Sequence, residues 1–132
     1  LVETRVAAPV VGAKESHLDP NELARLIVQI ALDKKAENLL MLDIRGLSVI
    51  ADYFVICTGT SDRQVRAIAK EIDEQLKKQA GLDPAHVEGM QEATWVLLDY
   101  SAVIVHIFDP ATRDYYRLEK LWAEAPRVLV VQ

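Results

Sequence analysis

Apolar and polar residues alternate along this chain in two rhythms. Leu23, Leu26, Ile27, Ile30 and Ala31 recur at helical spacing, which predicts a helix with one apolar face running to about Lys35. Its start is marked by Asp19-Pro20-Asn21-Glu22. Asp19 is placed to cap exposed amides, Pro20 suits the first helical position, and Glu22 stands three residues beyond the cap. A second helix is predicted over 62–80, with Val65, Ile68, Ala69, Ile72 and Leu76 as its inner stripe and Gly81 as its stop. A third, over 110–122, repeats the cap-plus-proline device at Asp109-Pro110. It carries Ala111, Tyr115, Leu118 and Trp122 on one stripe, with Tyr116, Glu119 and Lys120 facing outward.

Short apolar runs supply the second rhythm. Residues 38–44 and 53–58 read as strands, bridged by "LSVIA". "AHVEG" reads as a short strand, and "TWVLLDY" and "AVIVHIF" as two stronger ones. "PRVLVVQ" reads as a loose extended tail. The expected fold class is α/β: a mixed sheet of about five strands with helices mainly on one face. Residues 1–16, without period and with little charge, read as a flexible tail, residues 17–123 as the folded domain, and residues 124–132 as a C-terminal tail.

The last hairpin points to a surface. A two-residue turn at Tyr100-Ser101 sets Asp99 opposite Ala102, Leu97 opposite Ile104, and Trp95 opposite His106. Alternation then separates two faces. Val96, Leu98, Val103, Val105 and Ile107 make one, purely aliphatic and expected beneath helices. Trp95, Leu97, Asp99, Ile104, His106 and Phe108 make the other, apolar with polar tips. Tryptophan offers a large apolar area plus one hydrogen-bond donor, and such a face left in water is too large a patch for an idle monomer. A helix of the chain, a second copy or a different protein must cover it. These six residues, with Tyr116 and Lys120 of the last helix, are the candidate partner-binding residues.

Catalytic and cofactor readings fare worse. The turn Thr58-Gly59-Thr60-Ser61 joins a strand to a helix, as phosphate-binding turns do. It has one glycine and no lysine, so it lacks the P-loop and dinucleotide patterns. Ser61 and Gln64 read instead as a capping box, and Asp62 repels a phosphate. A nucleotidyltransferase needs two carboxylates two residues apart on one strand face, and no predicted strand carries D-x-D or D-x-E. His17, His86 and His106 lack metal-ligand spacing, and a Cys57–His106–Asp99 grouping has nothing to activate the thiol. Asp43 and Asp52 suit turns. No cofactor, no metal and no enzymatic activity are expected.

Composition changes the picture little. With 132 residues, about half hydrophobic, the chain supports one domain with a real core. The net charge of −5 argues against a domain that coats nucleic acid and favours a basic protein partner. No secretory signal or membrane-spanning run is read, and a single cysteine fits a reducing, cytoplasmic setting.

The ordered pieces "LDIRGLSVIADYFVICTGTSDRQVRAIA", "VEG", "ATWVLLDYSAVIVHIF" and "YRLEKLW" make the chain resemble the ribosomal silencing factor, or Iojap, family from about Leu42 to Trp122. The resemblance implies a nucleotidyltransferase-like fold without its catalytic carboxylates. It implies a partner, ribosomal protein L-fourteen of the large ribosomal subunit, and an action: blocking subunit joining and so repressing translation. It also implies a link to ribosome biogenesis and a homodimer when free. By position, Trp95 matches the family's strand tryptophan, with Thr94 where many relatives have aspartate. Residues 103–106 match "VIVH" and residues 118–122 match "LEKLW". A nucleotide-handling enzyme is the alternative, and a purely structural homodimer closed over the Trp95 face is a third reading.

Overall fold

Asp19 does cap the first helix, α1 (Pro20–Asp33): its carboxylate accepts from the Glu22 amide at 2.8 Å while Glu22 accepts from the Asp19 amide at 3.1 Å. The structure, a computed structural model, describes residues 18–132. The expected tail 1–16 and His17 lie outside the described residues. After α1 come β1 (Glu37–Asp43), β2 (Tyr53–Thr58), α2 (Asp62–Ala80), β3 (His86–Glu88), β4 (Trp95–Asp99), β5 (Val103–Phe108), two short helices α3 (Pro110–Tyr116) and α4 (Leu118–Leu121), and β6 (Arg127–Val131). The strands form one mixed sheet in the order β3-β4-β5-β2-β1-β6. Only β2 and β5 run parallel, joined through α2 and the β3–β4 hairpin.

The inner stripes of α1 and α2 settle on one face of the sheet. Leu23, Ile27, Ile68, Ile72 and Leu76 pack there with Met41, Val55, Val96, Leu98, Val105 and Ile107. Each such side chain contributes about 2 kcal/mol by leaving water. The opposite face carries Leu40, Leu42, Phe54, Ile56, Ile104 and Phe108. These six are buried beneath a cover that includes Leu118 of α4, Trp122 and Ala125. The two long helices thus lie on one side, as expected. Among the described residues, no helix is long and apolar enough to cross a membrane.

Four details correct the reading from sequence. The sheet has a sixth strand. Residues 127–131 are no loose tail but pair antiparallel with β1, Leu40 opposite Val130 and Met41 opposite Leu129. The β4–β5 hairpin is closed one residue later than expected: Tyr100 donates to the Val103 carbonyl at 2.9 Å, and Ser101 takes the left-handed turn position, φ 70°. Tyr100 lies just past the end of β4 and is buried. The register therefore shifts by two, giving Asp99↔Ile104, Leu97↔His106 and Trp95↔Phe108. A shift of two preserves parity, so the two faces keep their members. Third, the last helix breaks at Arg117, whose backbone is left-handed at φ 48°. The break turns Tyr115 out to 80% exposure, whereas Leu118 stays inward and Trp122 remains half-buried beside the second core. Fourth, Ser61 caps α2 by accepting from the Gln64 amide at 3.1 Å, but the Gln64 side chain reaches past Ser61 to the Thr60 amide at 2.6 Å.

Candidate functional site

The glycine turn after β2 is filled by the protein itself. A Cβ on Gly59 would lie 2.9 Å from the Val65 backbone nitrogen, so α2 begins in direct contact with the turn. Gln64 takes the donors a phosphate would need, accepting from the Thr60 amide and from its hydroxyl at 2.7 Å. Its amide nitrogen then bridges to the Lys34 and Lys35 carbonyls at 3.2 and 3.1 Å. Cys57 and His106 cannot cooperate. Cys57 packs in the core beneath α1 and α2, whereas His106 lies across from Ile56 on the other face. Burial pushes the Cys57 thiol up to about 12, where it is inert. Among the described residues, no group of three or more His, Cys, Asp or Glu side chains is placed to hold a metal. Asp43 serves its turn: Arg45 grips it through two bonds of 2.9 and 2.7 Å and holds its carboxyl below the usual range.

On the second sheet face aromatic side chains converge. Trp95 projects from β4 beside its cross-strand partner Phe108, the rings stacked at 4.8 Å. Tyr116 approaches the indole at 5.0 Å from the end of α3. The indole nitrogen donates to His106 Nδ1 at 3.1 Å. His106 itself lies edge-on against Phe54 at 4.7 Å, and Phe54 meets Trp122 at 5.1 Å. One aromatic cluster therefore spans β4, β5, β2 and the helical cover. Burial pushes the His106 imidazole down to about 4, and its Nε2 has no hydrogen-bond partner.

The eight predicted partner residues divide by depth. Tyr116 and Lys120 are exposed; Trp95, Leu97 and Asp99 are half-buried; Ile104, His106 and Phe108 are buried. The last three are buried in the free chain, and His106 and Phe108 lie against the Trp95 ring. Phe108, expected to join the surface, is wholly covered. Asp99 is engaged at the hairpin, its carboxylate accepting from the Ser101 amide at 2.7 Å.

The structure adds residues that the sequence reading passed over. Leu121 is 76% exposed, and the β1–β2 connection displays Leu47, Val49 and Ile50 to solvent. Leu47, Leu121 and Trp122 line one surface cavity of about 380 Å³ with Lys120. The available signal was "LSVIA", an apolar run too short to be a strand and unexplained as a turn. Arg113 was also missed. It donates to the Thr58 hydroxyl at 2.8 Å, to the Asn38 carbonyl, and to Glu119 at 3.4 Å, which fastens α3 to the ends of β1 and β2. Gly89 sets the entry to β4. At φ 87° a Cβ there would lie 2.0 Å from the Trp95 carbonyl oxygen. Arg66 of α2 holds the following turn by donating to the Met90 and Gln91 carbonyls.

The chain is similar to known proteins in sequence and fold. A family model described as ribosomal silencing factor during starvation matches residues 17–132. The ribosomal silencing factor RsfS of Bacillus subtilis is 52% identical over 94 residues, covering 71% of this chain and 79% of that protein. A crystal structure of a Chromobacterium violaceum protein superposes with a TM-score of 0.78 at 36% identity, covering 80% of this chain and 88% of the other. A second, from Bacillus halodurans, gives 0.72 at 42% identity, covering 83% and 98%. By sequence over nearly its whole length and by fold, this chain belongs to the ribosomal silencing factor family.

Proposed function

We propose that this protein docks through its Trp95 surface on ribosomal protein L-fourteen of the large ribosomal subunit and, seated there, keeps the small subunit from joining. Translation is repressed by obstruction, with no bond made or broken. The observation that carries this reading is the β4 edge of the second sheet face, where the cover stops and Trp95, Leu97 and Asp99 are half-buried. The exposed Tyr116 lies against the Trp95 ring, and Leu121 and the cation Lys120 stand exposed on the α4 helix that follows. An aromatic anchor set among apolar and charged neighbours is the anatomy of a binding hot spot. A net charge of −5 disfavours ribosomal RNA and draws the chain toward a basic ribosomal protein. Leu97 and Asp99 complete the contact along β4, while Ile104, His106 and Phe108 support it from below. In the absence of ribosomes the same surface buries against a second copy, giving a homodimer that docking must open. The setting is the cytoplasm, where ribosomes are met.

The test is co-sedimentation with isolated large subunits. Trp95→Ala is expected to weaken binding by about thirtyfold or more, the scale of a hot-spot tryptophan. Its thermal unfolding should show that the fold persists. A Trp95→Ala protein that is folded and still pellets like the wild type would refute docking through this surface.

A further inference from the structure

We infer that His106 is a positioning residue for docking: it holds the Trp95 indole through Nδ1, so that the ring meets its partner as an apolar plate seated under an aliphatic chain or a cation, not as a hydrogen-bond donor. This rests on the docking reading above.

The indole nitrogen is the group that usually gives tryptophan its directional contact. Here it is spent within the chain, 3.1 Å from His106 Nδ1. Phe108 and Tyr116 flank the ring at 4.8 and 5.0 Å, so three neighbours hold its orientation before any partner arrives. An indole nitrogen can only donate, so Nδ1 must accept, and the neutral ring then carries its proton on Nε2. That Nε2 is buried and has no partner, an unfavourable arrangement that a leucine at this position would avoid. Packing alone therefore does not account for a histidine here. What the histidine adds is the acceptor. It is 5% exposed and flanked by the rings of Phe54, Trp95 and Phe108, and this burial disfavours a second proton on it. Its depressed basicity keeps Nδ1 an acceptor at neutral pH. Ordering a loose side chain on binding weakens a complex by about two- to tenfold, and a side chain ordered in advance avoids that cost.

Large-subunit binding and the Trp95 indole ¹H–¹⁵N signal, assigned by its loss in Trp95→Phe, are measured together at neutral pH. His106→Leu removes the acceptor. Its indole signal should move upfield and its binding should weaken by about two- to tenfold. His106→Asn, whose Oδ1 takes the place of Nδ1, should keep both near wild type. Trp95→Phe should resemble His106→Leu and be milder than Trp95→Ala, and adding His106→Leu to Trp95→Phe should cost nothing further. Trp95→Phe as damaging as Trp95→Ala would show that the nitrogen serves the partner, and would overturn the inference. So would His106→Leu that shifts the indole signal yet binds like wild type. Should His106→Leu fail to fold, the wild-type ring ¹⁵N shifts decide: a protonated Nδ1 overturns the inference. Wild-type binding by Trp95→Ala instead removes the docking reading itself.

Discussion

Acid should loosen this fold through one imidazole. Burial holds His106 at about 4 in the folded chain, against 6.5 for an ordinary histidine. Unfolding therefore releases a base that takes up a proton wherever the pH lies below 6.5. Above 6.5 neither state binds the proton and the residue contributes no pH dependence. As the pH falls the unfolded state gains, by about 2 kcal/mol near pH 5 and about 3 kcal/mol once the folded-state value is passed. Geometry supports the sign independently. Protonating Nδ1 removes the lone pair that receives the Trp95 nitrogen at 3.1 Å, and sets donor against donor. Phe54 and Phe108, packed against the ring, carry no charge that would offset the cation. The assay is urea unfolding of wild type and His106→Asn at a series of pH values from about 7 to 4. Carboxylates titrate alike in both proteins, so the difference isolates residue 106. Wild type should lose about 2 kcal/mol more than the variant on reaching pH 5. A difference that stays flat over that range would refute a buried, neutral His106.

Two further perturbations test how the site is framed. Gly89→Ala sets a Cβ against the Trp95 carbonyl in a backbone conformation alanine resists, and should cost about 2–4 kcal/mol in denaturant unfolding. Gln64→Ala should cost about 1–2 kcal/mol. Gln64→Glu should do no better, because its carboxylate would face the Lys34 and Lys35 carbonyls. A thermal melt of wild type with and without magnesium nucleotide should show no stabilisation, since Gln64 occupies the donors of the turn at Gly59.

Where local chemistry decides, the sequence was readable. Asp19 and Pro20 start α1, Ser61 starts α2, and β2 spans the expected residues because each signal lies within a few positions of its effect. The faces of the β4–β5 hairpin survived an error of register because parity, not register, assigns a side chain to a face. What could not be read depended on distant partners. "PRVLVVQ" becomes a strand only because the far edge of β1 is open to receive it. The break at Arg117 leaves no signal in composition: arginine is an ordinary helix former, and Arg113, reaching Thr58 and Asn38, fixes where α3 sits. That break changed the surface most, exchanging an inward Tyr115 for an exposed one. The depth of Ile104 and Phe108 follows from packing with Leu118, Trp122 and Ala125, and that of His106 from the rings of Phe54, Trp95 and Phe108, both tertiary facts.

The junction between α1 and β1 binds the protein's two layers into one mechanical unit. Lys35 and Asn38 both take left-handed backbone angles, and the carbonyls of Lys34, Lys35 and Asn38 point to side chains from elsewhere. Gln64 grips this short stretch from the start of α2, on the helical side of the sheet. Arg113 grips it from α3, on the aromatic side. α2 and α3, on opposite faces, are thus fastened to the same few residues at the rim of the sheet, so a substitution in that stretch disturbs the anchorage of both helices together.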